Sequence, residues 1–189
     1  MMKKPNNLLL LALGITAFLV SMLLDKNADL LFKDVKIPFL DFILSIITNF
    51  GLVVVVMLII PSVVLWNKNK KTAYLLWISF ACAVVLSFAI KLAVLRQRPA
   101  GLFYIPFTGI IDYSFLSMHT MVAFALLPVL IYENSEQKHF WLTFASLVAF
   151  SRLYFRFHFL SDVVFGIFAG YFIGITLIYL HEKGKIWKK

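Results

Sequence analysis

Apolar residues run almost unbroken through this chain, in stretches too uniformly hydrophobic for the one-sided pattern of a soluble helix. A helix needs about 20 such residues to cross a bilayer, and six stretches suit that purpose: 7–24, 39–66, 72–95, 117–132, 140–155 and 159–180. The pattern predicts an all-α polytopic membrane protein, about six transmembrane helices in one bundle, with 1–189 as a single domain. The polar connection 25–41 carries Leu30, Leu31 and Phe32, a candidate interfacial helix. Span 39–66 is long enough to tilt, and Pro61 is placed to kink it. The third span should end before Pro99, because proline disfavours helical geometry in the residue before it. Loop 100–116 mixes Gly, Pro and aromatic residues and should be ordered but irregular, and a polar hinge 133–139 separates the fourth and fifth spans.

Composition agrees. Of 189 residues, 62% are hydrophobic and 14% charged, with mean hydropathy +0.92, whereas soluble domains are roughly half apolar and about a quarter charged. The net charge of +9 would suit a polyanion, but its distribution excludes nucleic acid. Lys3 and Lys4, then Lys68, Lys70 and Lys71, then Lys183, Lys185, Lys188 and Lys189 occupy alternate connections, as the positive-inside rule requires. Both termini are therefore expected in the cytoplasm of a plasma-membrane protein, with loops 96–116 and 156–160 on the extracytoplasmic face. The first stretch has a basic leader but runs on for a full span and lacks a small-x-small cleavage motif, so a retained helix is expected. Cys82 is the single cysteine, which excludes an intrachain disulfide; it is expected as a small buried hydrophobe. Gly166, Gly170 and Gly174 form a repeated small-residue face suited to close packing within the chain, with dimerisation as the alternative. No obligate protein partner is expected, and the 20 Phe read as lipid contact and packing rather than a cofactor site.

Charged groups in or at the ends of spans are energetically expensive and usually functional. Here they are Lys91, Arg96, Arg98, His119, Arg152, Arg156, His158 and Asp162, all but the last able to carry positive charge. Such a nest beside a membrane suits a phosphate group. Lys91 and Arg98 are seven apart, which would place them on one helix face. Ser117 is placed to cap the fourth span, leaving His119 in a first turn whose free N–H groups can hold an anion. His158 and Asp162 are four apart, so the carboxylate can face the imidazole, set its tautomer and leave the other nitrogen free as a nucleophile.

These residues resemble the signatures of the type 2 phosphatidic acid phosphatase superfamily. Lys91 through Arg98 and Pro99 fits K-x6-R-P, Ser117-Met118-His119 resembles P-S-G-H, and Ser151-Arg152, His158 and Asp162 fit S-R-x5-H-x3-D. The resemblance implies a metal-independent, cofactor-free membrane phosphatase acting on a lipid phosphate through a phosphohistidine. His158 would be the nucleophile, Asp162 its orienting carboxylate and His119 the general acid. Lys91, Arg98, Arg152, Ser117 and the N–H of Met118 would bind the phosphoryl oxygens. Fixed cations can neutralise those oxygens as magnesium does elsewhere. Leu116 and Met118 stand where the family has Pro and Gly, which bears on the geometry around His119.

Outside the signatures, Arg96 and Arg156 are candidates for headgroup contact or interfacial snorkelling, with Ser151 beside them in a supporting position. Asp112 sits in the outer loop, where it could order an arginine or bind substrate, with a solvated loop carboxylate as the preferred reading; His139 and His181 read as residues of the inner side. Candidate substrates are a polyprenyl diphosphate such as undecaprenyl diphosphate, phosphatidylglycerol phosphate and phosphatidic acid. Rival readings are a lipid phosphotransferase using the same histidine, a non-enzymatic anion-transporting bundle, and a vanadate-dependent haloperoxidase, against which the short membrane build argues.

Overall fold

A computed structural model describes residues 7–104 and 111–187. Lys3, Lys4, Lys188, Lys189 and the middle of loop 100–116 lie outside the described residues. Among the described residues every regular element is a helix, and two isolated bridges tie loop residues Arg98 to Gly101 and Tyr104 to Ile111.

Helix α1, Asn7–Phe32, does not stop at the charged cluster that follows its apolar run. Asp25 and Asp29, one turn apart, both find basic partners on other segments: Arg96 at 2.7 Å and Arg156 at 2.6 Å. With those charges satisfied, the ladder continues through the expected connection, and only 33–37 remains as a linker. The short helix expected around Leu30 instead forms later, as α2, Pro38–Ile47, where proline suits the first turn because its missing N–H has no helical partner there.

The second apolar stretch is broken. After α2 the chain turns by 56° and resumes as α3, Phe50–Val54, a π-helical turn, Val55–Ile59, and α4, Ile60–Trp66. The bend lies at Thr48 and Asn49 rather than at Pro61, because Asn49 Oδ1 accepts the Leu52 N–H at 3.1 Å and starts a new helix. Pro61 follows the widened turn. Its ring crowds the carbonyl four residues back, and a π turn is one way to accommodate that.

Helix α5 spans Lys70–Val94, α6 Met118–Glu133, α7 Lys138–Tyr154 and α8 Leu160–Glu182, with one 3₁₀ turn, Ser135–Gln137, between α6 and α7. By length and composition α1, α5 and α8 can each cross a membrane, and the bent pair α2 with α3–α4 makes a fourth candidate. The shorter α6 is the centre of the bundle, buried without interruption from Thr120 to Leu130. Cys82 faces outward from α5 rather than into the core.

The glycine face of α8 is spent inside the chain, as expected. A Cβ on Gly170 would lie 2.3 Å from the Met121 carbonyl, and one on Gly174 2.5 Å from the Ala125 carbonyl, so the α6 and α8 backbones are nearly in contact. Gly170→Ala is therefore expected to force these helices apart and lower stability by about 1–3 kcal/mol, read as a reduced melting temperature in detergent. This contact also fixes the start of α6 against the start of α8, which is where the polar residues gather. The C-terminal ends of α1, α5 and α7 meet them there, while Lys68, Lys70, Lys71, Lys183 and Lys185 belong to the opposite end.

Candidate active site

Helix α5 stops earlier than Pro99 alone would require. Leu95 turns left-handed at φ 53°, closing the helix at Val94, so Lys91 and Arg98 do not share a helical face. They converge instead through Asp112. Lys91 Nζ donates to Asp112 Oδ1 at 2.7 Å and Arg98 Nη2 to Asp112 Oδ2 at 2.6 Å. Arg98 is held further by Nε donating to the Asp112 carbonyl at 2.8 Å and Nη1 to the Phe157 carbonyl at 2.9 Å. The loop carboxylate expected in solvent is thus the counter-ion of two buried cations.

The end of α7 supplies the next part. Phe157 N–H donates to the Arg152 carbonyl at 3.0 Å and Arg156 N–H to that of Leu153 at 2.8 Å, around a left-handed Arg156 (φ 54°). This is a Schellman closure with arginine where glycine is usual. Arg156 is held there by its two-point pairing with Asp29 of α1 and does not enter the site. The closure delivers His158 back over the helix end, where its own N–H bonds the Arg152 carbonyl at 3.3 Å. Ser151 is turned away, its hydroxyl donating to the Val148 carbonyl at 2.7 Å.

Arg152 is buried at the rim. Nη1 donates to Thr48 Oγ1 at 2.6 Å, the guanidinium lies 4.6 Å from the Phe157 ring centroid, and among the described residues Nε has no partner. A buried N–H left open is costly, so Nε is available to one more acceptor.

The imidazole of His158 is 3% exposed as a residue. Its Nδ1 faces Asp162 Oδ2 at 3.6 Å and Ser114 Oγ at 3.5 Å, and its Nε2 lies 3.4 Å from Arg98 Nη1. Asp162 is fixed from several sides: Oδ2 accepts from Ser114 Oγ and, at 2.9 Å, from the Phe159 N–H, while Oδ1 accepts from Arg96 Nη1 at 2.8 Å. Arg96 is therefore an internal partner of Asp162 rather than a snorkelling cation. Burial holds His158 well below the ordinary imidazole range, and the charges of Arg152, Arg98 and Lys91 push in the same direction. The ring is neutral at pH 7, with a lone pair available.

His119 lies in the first turn of α6, packed edge-on to Phe50 with centroids 4.9 Å apart and partly open to the surface. Lys91, Arg98, Arg152 and His158 are all within electrostatic reach of it. Ser117 occupies the N-cap position but does not cap: its Oγ accepts from Thr120 Oγ1 at 3.0 Å, and its N–H meets the Asp162 carbonyl at 3.3 Å. Among the described residues, the N–H groups of Met118, His119 and Thr120 find no acceptor, which leaves an anion site at the helix start. Met118 adopts negative φ and packs on the core, and Leu116 is fully buried. Met118 therefore needs none of glycine's freedom at positive φ.

No curated protein matches the chain. Among solved structures it is similar to the first transmembrane PAP2 type phosphatidylglycerolphosphate phosphatase from Bacillus subtilis, at 20% identity and TM-score 0.70, covering 90% of this chain and 96% of that one. It is also similar to Aquifex aeolicus LpxE, at 25% identity and TM-score 0.68, covering 82% of this chain and 95% of that one. The family model of the PAP2 superfamily matches residues 71–186. The chain belongs to the PAP2 superfamily. It is accordingly a hydrolase of phosphoric ester bonds in a membrane setting, and all three signature blocks of the PAP2 pattern fall within the matched residues.

Sequence reasoning missed three residues of this region, Asp25, Thr48 and Ser114, and preferred solvent to the arginine pairing it had offered for Asp112. Only Asp25 carried a signal, being an acidic residue directly after an apolar run. The others are ordinary loop or helix-end residues whose partners are distant in sequence.

Proposed function

We propose that this PAP2 protein hydrolyses a lipid phosphate or diphosphate through a phosphohistidine at His158. The observation that carries the reading is a neutral, buried imidazole whose Nδ1 faces a fixed carboxylate and whose Nε2 faces Arg98, beside Lys91 and Arg152. With the proton on Nδ1, the Nε2 lone pair attacks phosphorus and the bond from phosphorus to the lipid oxygen breaks. His119, as general acid, supplies the proton that the leaving oxygen needs. Water then attacks the phosphohistidine, His119 takes its proton, and the P–N bond breaks to regenerate His158. Lys91, Arg98, Arg152 and the open N–H groups at the start of α6 neutralise the equatorial oxygens as charge shifts.

The preferred lipid is read from the same candidates, polyprenyl diphosphate, phosphatidylglycerol phosphate and phosphatidic acid. The structural neighbours support the lipid class: the Bacillus subtilis protein is named a phosphatidylglycerolphosphate phosphatase. The test is phosphate release from that panel in detergent with EDTA present, wild type against His158→Ala. Release by the wild type alone supports the reading; no release from any lipid by folded protein removes it.

Asp112 holds the two cations that a phosphate needs, so substrate must displace its carboxylate. Asp112→Asn removes that competing charge, and vanadate is expected to bind about 10-fold more tightly, a change of about 1.4 kcal/mol, measured by inhibition of turnover.

We further place the site on the extracytoplasmic face. The described lysines of the 68–71 connection and the last helix lie at the opposite end of the bundle, in keeping with the positive-inside rule. A cysteine introduced at Leu102 in a Cys82→Ser background should react with an impermeant maleimide added outside intact cells, and labelling only after lysis reverses the orientation.

A further inference from the structure

Asp25 is a buried carboxylate on a helix otherwise made for lipid, and it lies outside the residues matched by the family model. Its position is defined by a closed ring of hydrogen bonds. Oδ1 accepts the Ser161 N–H at 2.8 Å, and Oδ2 accepts Ser161 Oγ at 2.7 Å and Arg96 Nη2 at 2.7 Å. Arg96 Nη1 in turn donates to Ser161 Oγ at 2.7 Å and to Asp162 Oδ1 at 2.8 Å. The guanidinium is stacked 3.9 Å from the Phe159 ring centroid, which fixes its plane.

Two physical needs meet in this ring. Helix α8 has Phe159 at its N-cap position, whose side chain cannot cap it, and Asp25 reaches across from α1 to take the Ser161 N–H. Among the described residues Asp162 pairs with one arginine, Arg96, through Oδ1, and the geometry of that fork bears on how Oδ2 is turned toward His158. Arg96 facing Asp162 alone would leave half its donors without a protein partner in a half-buried place; Asp25 takes them.

We propose that Asp25 and Arg96 are positioning residues for the reaction, holding Asp162 so that His158 keeps its proton on Nδ1 and presents Nε2 to phosphorus. This rests on the phosphohistidine reading for its kinetic consequence, but not for its structural one. Neither residue touches substrate. Their effect passes through Asp162, so it falls on the chemical step and not on phosphate binding.

The test compares wild type with Asp25→Asn and Arg96→Lys, each keeping size and polarity while removing a charge or a fork. Turnover is expected to fall about 10-fold to 100-fold, the range typical of outer partners that orient a histidine, with KM and vanadate affinity within about threefold of wild type. With histidine labelled in ¹⁵N, and only 4 His in the chain, the His158 resonances should show a pure Nδ1–H tautomer in wild type and a mixture in both variants. That measurement needs no turnover, so it separates this inference from the phosphatase reading, which His158→Ala tests on its own. Unchanged turnover and tautomer overturn the proposal. So does a matched loss of turnover and vanadate binding, which would mean that the phosphate site itself had collapsed. If Asp25→Asn fails to fold, Ser161→Ala, which removes one hydroxyl from the ring, carries the same test: an unaltered tautomer overturns the proposal.

Discussion

Replacing His158 with alanine is expected to reduce phosphate release by at least about 10⁴-fold, since the residue forms the bond that starts the reaction and single losses of a nucleophile are of this order. The fold should survive, because among the described residues the imidazole makes no short hydrogen bond to a side chain; its contacts lie at 3.4–3.6 Å. Turnover should vanish while vanadate still binds, since Lys91, Arg98 and Arg152 remain. The wild-type pH profile follows from the same environment. Burial and three neighbouring cations lower the His158 pKa, so the neutral, nucleophilic form persists below the ordinary imidazole value of about 6.5. Phosphoenzyme formation should therefore hold as pH falls through 6.5 and fail only further down, measured by rapid quench. The linkage to stability has a matching sign. Below about 6.5 the unfolded chain takes up a proton that the native ring refuses, so this histidine lowers stability as pH falls toward its native pKa. An acid limb at or above 6.5 would count against this environment.

The second large effect is expected at Arg152. Arg152→Lys keeps the charge but loses the fork that lets one nitrogen hold Thr48 Oγ1 while the buried, unpartnered Nε stays open to an oxygen. Losing one preorganised donor to a developing charge lowers kcat by about 10²–10³-fold, and a fall of that order is expected, with vanadate binding weakened as well. A lysine variant that kept full kcat/KM would mean that charge alone suffices at this corner. Thr48→Val, which removes the hydroxyl and preserves shape, should give a smaller loss of the same kind by freeing the guanidinium.

The sequence by itself determined the membrane solvent, the helical class and the residue types of the site. A bilayer leaves only long apolar stretches as spans, and charged residues such as Lys91, Arg152 and Asp162 stand out against them. The pairing of His158 with Asp162 was legible from their separation of four residues, although His158 lies just before the N-cap Phe159 and only Asp162 is in the first turn of α8. The glycine face of α8 was legible for the same reason, since period alone places Gly166, Gly170 and Gly174 in a row.

What spacing could not supply was any relation between segments distant along the chain. Lys91 and Arg98 were read as two turns of one helix, but a left-handed Leu95 ends that helix, and it is Asp112 that brings them together. Arg96 read as a headgroup contact or an interfacial snorkelling cation because its partners, Asp25 and Asp162, are 71 and 66 residues away. Helix α1 was cut short in the reading because a charge after an apolar run normally meets water; only packing shows that Asp25 and Asp29 meet arginines instead. A period belongs to one helix. Which charge ends beside which is decided by how helices pack, and that depends on the near-contact of α6 and α8 backbones that the small residues permit.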